Sequence, residues 1–467
     1  MATDLQKSLV REKAISWLER PVDIASLAAF RILFGLLMAG AMLRFLAKGW
    51  VQELYSAPAF HFTYPGLDWI RPWPEPLMHA HFVLLALFAM GVAAGFFYRV
   101  CIVLFFIGFT YVELIDQTTY LNHYYLISLI AGILIFLPAH RAWSLDARRK
   151  PEIAVDAVPA WCLNILRFQI GVVYIFAGLA KFNADWLFRA EPLRIWLAAR
   201  SDLPLLGPLL NETWVAYAAS WFGAIFDSTI VVFLLWKRTR RPAYVLLVFF
   251  HVATWMLFNI GMFPWIMMVA ATVFFSAAWP RKWISKFSAF APKHRETKGG
   301  AEQLNAPDAL IHARRRVLLS PGISLLRWPL CFYAVVQLVL PLRPYLVSQP
   351  PTWTCSGFNC AWQVMVAEKT GYTEFFAFDP ATRERRKLSL KKYLTPRQEM
   401  MMAQDPYLIR QMARRLAADL NGPGRSTTQI RVNAFATLNG RPSQHLINPD
   451  VDLAATMPSD WIVTLKH

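Results

Sequence analysis

A lysine closes an otherwise apolar run, YIFAGLAKFNADW at 174–186. An ammonium at the centre of a hydrocarbon span costs about 2.5–3.5 kcal/mol on insertion scales, and less near the interface. Lys181 is therefore either a snorkelling anchor that marks a membrane boundary or a group kept for its chemistry. The residues upstream bear on the choice. Asn164, Arg167, Gly171, Tyr174, Gly178 and Lys181 recur at steps of three and four, so a helix presents them on one face, while Ile, Leu, Phe and Val fill the rest. Such a stripe faces a bundle interior or a wet cavity. Packing through small residues, with Arg167 in a structural ion pair, is the plainer account of it.

Two further stretches supply groups on the same side. TTYLNHYYL (118–126) carries Asn122 and His123 at the start of the next apolar run upstream. A second cationic group disfavours protonation of the lysine, and partial burial disfavours charge on both. Lys181 beside His123 would then be free to act as a base. FFHVATWMLFNIGMF (249–263) places His251, Trp255, Phe258 and Met262 on one face and ends in a helix break. An aromatic and methionine stripe is ordinary core, or it lines a slot for a flat apolar ligand. Together these residues describe an outward-facing cavity with a buried base, fed from the bilayer, and a lipophilic substrate fits it.

The elements that must position them are membrane helices. The chain has 467 residues, 56% hydrophobic, with 19 Trp and 34 Phe, and its mean hydropathy is +0.35. That is too apolar for one soluble core, and aromatics gather at bilayer interfaces. Apolar runs matched to a span of roughly 20 residues fall at about nine places: 24–45, 80–97, 100–115, 123–138, 160–181, 213–236, 243–259, 263–279 and 321–345. No CxxC, HExxH or paired-histidine spacing occurs, so no metal is expected. There is no glycine-rich phosphate loop. The first apolar run follows a basic stretch and is long enough to span, unlike a cleavable signal peptide.

Charge orients the stack. With the N-terminus cytoplasmic, the inside segments carry 22 Lys and Arg and the outside loops 5. The net charge of +18 is thus loop charge, and nucleic acid is not an expected partner. Nine spans then put the part beyond about 346 outside. Its segments QVMVAE, YTEFFAF and RKLSL alternate as strands. Residues 395–420 read as a helix broken at Asp405-Pro406, and a hairpin turns at Asn439-Gly440. The expected architecture is a polytopic α-helical membrane protein of about nine spans, residues 1–345, with a C-terminal extracytoplasmic α+β domain, residues 346–467. Cys355 and Cys360 bracket a loop in an oxidising compartment, where a local disulfide is one option. No internal repeat is visible, which weighs against a transporter of inverted halves.

At this point the chain resembles the vitamin K-dependent γ-glutamyl carboxylase family. The likeness runs through RPVDIASLAAFRILFG, NHYYL, LRFQIGVVYIFAGLAKFNADW, FNIGMF, WTCSGFNCAWQVMV and LINPDVD, in order over nearly the whole chain. The resemblance implies a lysine base, here Lys181, that deprotonates the quinol of reduced vitamin K (phylloquinol or menaquinol). Dioxygen then generates a strong base that removes a γ-proton from a substrate glutamate, CO2 adds, and the vitamin leaves as its epoxide. The family histidine, here His123, serves carboxylation, and Asn122 positions lysine or quinol. His251, Trp255, Met262, Phe263, Tyr174, Arg167, Trp362 and Met365 make up the expected quinol- and substrate-binding set. The implied partners are a glutamate-containing protein or peptide, the membrane-dissolved quinol and the lipid bilayer.

The chain departs from animal members at Ala180, where a second lysine is frequent, and at Phe358, where they carry tyrosine. It ends soon after LINPDVDLAATMPSDW, as expected of a short, bacterial-type member of an inner membrane; a eukaryotic one would lie in the ER membrane. Two other readings stay open. A quinol-oxidising enzyme without carboxylation would keep Lys181 and need no glutamate site. A lipid-binding or transport protein would use the same cavity for passage.

Overall fold

The structure is a computed structural model that describes residues 17–288, 323–421, 428–455 and 461–466. Its first part is a helical bundle: α1 (Ala25–Ala47), α2 (Glu75–Ala94), α3 (Tyr98–Ile115), α4 (Asn122–Phe136), α5 (Trp161–Ala180), α6 (Thr213–Leu235), α7 (Arg240–Leu257), α8 (Phe263–Ala271), α9 (Trp279–Ser288) and α10 (Ile323–Val339). Each of the nine apolar stretches falls on a helix. Among the described residues six helical stretches are long and apolar enough to cross a membrane, or seven when α8 and α9, bent by 95° at their junction, count as one span. The nine of the sequence reading is thus approximate, for two reasons. Helix α4 has only 15 residues, and α7 begins with Arg240 and Arg241, which lower its hydropathy.

A two-stranded clip ties the bundle together at one end. Strands β1 (Pro21–Asp23) and β2 (Ala157–Pro159) pair antiparallel, with Val22 opposite Val158, and set the starts of α1 and α5 side by side. Arg281 beyond the α8–α9 bend bonds Asp23 and Asp156 at the same end. At the other end of α5, close approach decides the geometry. A Cβ on Gly178 would come within 2.5–3.0 Å of Ser228 on α6, including its backbone N and Cα. Only glycine lets the two helices touch there, and Lys181 follows one turn later.

The second part is the α+β unit expected after 346. Strands β3 (Lys369–Phe378), β4 (Arg385–Leu388), β5 (Gln429–Leu438) and β6 (Gln444–His445) form an antiparallel sheet in the order β4-β3-β5-β6. Alternate residues of β5 are buried, Ile430, Val432, Ala434, Ala436 and Leu438, against Ile409, Met412 and Leu416. These come from α12 (Pro406–Leu420), and α11 (Pro396–Met402) precedes it. The break at Asp405-Pro406 separates these two helices: Asp405 caps α12 through the Tyr407 amide, and Pro406 opens it. Thr395 and Gln398 form a reciprocal capping box on α11. The β5–β6 connection turns through left-handed Asn439 and Gly440, φ 51° and 72°.

One expected strand is absent. Residues 363–368 form no β-strand. Trp362 and Met365 sit in the left-handed region, φ 56° and 52°, and the segment is spent against the helical bundle rather than in the sheet. Cys355 and Cys360 are free thiols. Burial pushes the Cys355 thiol up to about 12, with Asp405 adding to the rise and Lys369 opposing it.

Candidate active site

Lys181 is the C-cap of α5, and its side chain turns inward. Nζ lies 2.9 Å from Asp227 Oδ2 on α6. It also donates to the carbonyls of Ala177, at 3.1 Å, and Val364, at 3.2 Å. These three acceptors match the three N–H donors of an ammonium. The Trp186 ring lies 5.2 Å away. The residue is 4% exposed, which rules out a snorkelling anchor whose head group reaches water.

The pair opens into a cavity of about 250 Å³ lined mainly by apolar side chains, among them Ala177, Phe222, Phe250, Phe258 and Phe263. Tyr174 and His251 add polar groups deeper in the bundle, with the Tyr174 hydroxyl 2.7 Å from His251 Nε2. Phe222 on α6 and Phe249 on α7 also line it, and they are 42% and 67% exposed on the bundle's outer surface. The cavity therefore reaches the surface between two membrane helices.

Asn122 and His123, at the start of α4, belong to a second cavity of about 400 Å³ with Arg44, Trp50, Glu53, Asn259, Gly261 and Arg397. Gly261, at φ 60°, makes the turn between α7 and α8 where a side chain would approach the His123 ring. Asn122 donates to the Gln363 carbonyl at 3.3 Å and accepts from Tyr120. Ile260, Phe263, Val364 and Met365 line both cavities, so a thin wall separates them. Half of that wall comes from the α7–α8 turn and half from the outer α+β unit.

This arrangement departs from the sequence expectation in two ways. His123 is not the neighbour of Lys181; the carboxylate of Asp227 holds that place. Asp227 itself was overlooked, although an acid inside the apolar run 213–236 is the kind of residue that marks a membrane site.

Of the expected binding set, Tyr174, His251, Phe263 and Met365 line a cavity. Four others do not. Arg167 bonds the Val273 carbonyl at 2.8 Å and that of Phe275 at 3.2 Å, satisfying the backbone where α8 ends. Trp255 is 50% exposed and stacks edge-on with Trp265. Met262 is buried in the helical core. Trp362 is fully buried against Tyr125. Trp255 follows His251 by one turn of α7 but lies on the exposed side of the helix, and Met262 leaves the stripe because α7 ends at Leu257. Among the described residues no three His, Cys, Asp or Glu side chains converge as a metal-ligand group.

Fold and site together define a polytopic helical membrane protein with a lipophilic cavity capped by an α+β unit. Residues 19–279 match the family model of the HTTM domain, and residues 324–467 that of the vitamin K-dependent gamma-carboxylase, lumenal domain. The chain belongs to the vitamin K-dependent γ-glutamyl carboxylase family. No solved structure matches it.

Proposed function

We propose that this protein carboxylates the γ-carbon of protein glutamate and couples the reaction to O2-dependent epoxidation of reduced vitamin K, with Lys181 as the base. The observation that carries this reading is the Lys181–Asp227 pair at the head of an apolar cavity that opens between α6 and α7. A lipid-soluble quinol reaches such a cavity from the bilayer. The apolar lining fits its ring and tail, and the polar groups fit its hydroxyls. Once bound there, reduced vitamin K supplies, with dioxygen, the strong base that the γ-proton of glutamate requires.

The protein's part is proton handling and separation. Asp227 Oδ2 is within one hydrogen bond of Nζ and is placed to take a proton from it. Nζ so relieved accepts the proton of a quinol hydroxyl. Tyr174 and His251 orient the ring from the opposite end. His123 and Asn122 serve the carboxylation half-reaction from the polar cavity, across the shared wall from Lys181. CO2 and the glutamyl side chain enter on that side, and no metal takes part.

The same reading places the active site and residues 346–467 on the extracytoplasmic face and the N-terminus in the cytoplasm. Nine crossings result when the shorter α4 and α7 are counted with the others. Residues 1–345 form the catalytic membrane part and 346–467 the outer part that closes it. A single assay tests the function: purified protein, reduced vitamin K, oxygen, labelled CO2 and a glutamate peptide, with epoxide and fixed label scored separately. Epoxide without fixed label would replace this reading with a quinol oxidase.

A further inference from the structure

The polar cavity holds two guanidinium groups that the chemistry above leaves unused. Arg44 comes from the outer end of α1 and Arg397 from the first turn of α11, so the two parts of the chain contribute one each. Arg44 rests on the Trp50 ring, 5.1 Å from its centre, and its Nε is buried with no hydrogen-bond partner. Among the described contacts neither arginine has a carboxylate partner, although Glu53 lines the same cavity. Two guanidinium groups that line one cavity with no carboxylate paired to either make it a place for an anion.

Position is fixed on both sides. Gln398, next to Arg397, donates from Nε2 to Asp116 Oδ2 at 2.7 Å and to the Phe60 carbonyl at 2.8 Å. That buried anchor fixes the first turn of α11 against the helical bundle. The charged lining side chains Arg44, Arg397 and Glu53 carry one net positive charge, which a single carboxylate neutralises. Arginine is also the side chain whose fork of donors matches a carboxylate.

We propose that Arg44 and Arg397 seat the γ-carboxylate of a glutamyl side chain beside His123, so that the substrate site is complete only when the outer unit is docked. This rests on the carboxylase reading and assigns that reaction's acidic substrate to named residues. A bicarbonate ion shares the chemistry, and the experiment separates the two.

Full-length protein in nanodiscs is titrated with a fluorescent glutamate peptide and with its glutamine counterpart. Wild type should prefer the glutamate peptide. Arg397→Gln and Arg44→Gln should each weaken its Kd about tenfold to a hundredfold, the range for a hydrogen bond to a charged group, and should abolish the Glu-over-Gln preference. Arg397→Lys should keep part of it, and Arg386→Gln, exposed on β4, all of it. Arg397 is exposed, so its variants test the seat even if Arg44→Gln destabilises the bundle. A Glu-over-Gln preference that survives in Arg397→Gln overturns the proposal. So does a steeper bicarbonate requirement with unchanged peptide binding, which would assign the arginines to bicarbonate. Wild type that prefers the glutamate peptide yet fixes no CO2 would sink the carboxylase reading and leave the seat standing.

Discussion

Asp227 Oδ2 lies 2.9 Å from Lys181 Nζ, and the two side chains are only 9% and 6% exposed. A charge pair so placed is costly to break from one side, because the remaining charge stays buried. Asp227→Ala should destabilise the protein by about 3–5 kcal/mol, measured by thermal unfolding in detergent. The double variant Lys181→Met/Asp227→Leu should regain most of that stability and form no epoxide. Epoxide from the double variant would reduce the pair to a structural contact.

Lys181→Ala alone should abolish epoxide formation. It also breaks the pair from one side and should cost stability, less where the Asp227 carboxyl protonates, so its folding is checked by the same thermal unfolding. The space left by the side chain should admit a small primary amine, and partial recovery with added amines would support the base assignment. Near wild-type epoxide formation without any amine would end it.

The wall of Ile260, Phe263, Val364 and Met365 puts His123 and His251 in different cavities, and their variants should part accordingly. His123→Ala should lose carbon fixation more severely than epoxide. His251→Ala, which also frees the Tyr174 hydroxyl, should raise the KM for the quinol. Equal loss of both products in His123→Ala would contradict the division.

Arg441 grips Asp185 with both terminal nitrogens at 2.7 Å, and Asn439 adds a third bond at 2.9 Å. These bonds join the outer unit to the helix that follows Lys181. Burial pushes the Asp185 carboxyl upward, but the hydrogen bonds from Arg441 and Asn439 outweigh it and hold the group below the usual carboxylate range. Undocked, Asp185 binds its proton near pH 4, so docking favours the ionised form. The contribution is complete above that pH and is lost as pH falls through the lowered value. Protease protection of the outer unit should therefore drop in acid for wild type, and Asp185→Asn should lack that component. Indistinguishable acid profiles would remove this latch from the account.

Sidedness has its own check. A reporter fused after His467 should be active only outside the cytoplasm, because 22 of the 27 loop cations counted lie on the other side. A fusion active in the cytoplasm would invert the whole placement.

Local pattern alone determined much of this protein. Apolar runs located each membrane helix, because a span must satisfy its own backbone within hydrocarbon. The three-and-four spacing through Lys181 predicted an inward face, and that face does meet α6, α7 and the end of α8. Turn chemistry at Asp405-Pro406 and Asn439-Gly440 marked a helix break and a hairpin, since both depend on neighbouring residues only.

Contacts between distant segments were a different matter. Asp227 lies 46 residues from Lys181, and only the touch of Gly178 on Ser228 brings them together. Val364 and Met365 read as a strand by alternation, yet the bundle claims them as a cavity wall, and burial there outweighs β-propensity. Arg167 read as part of a polar site because its spacing fitted, whereas the broken end of α8 needed its donors. Nor did any sequence pattern join Arg44 to Arg397, since residues 353 positions apart come to line one cavity only where the outer unit meets the bundle.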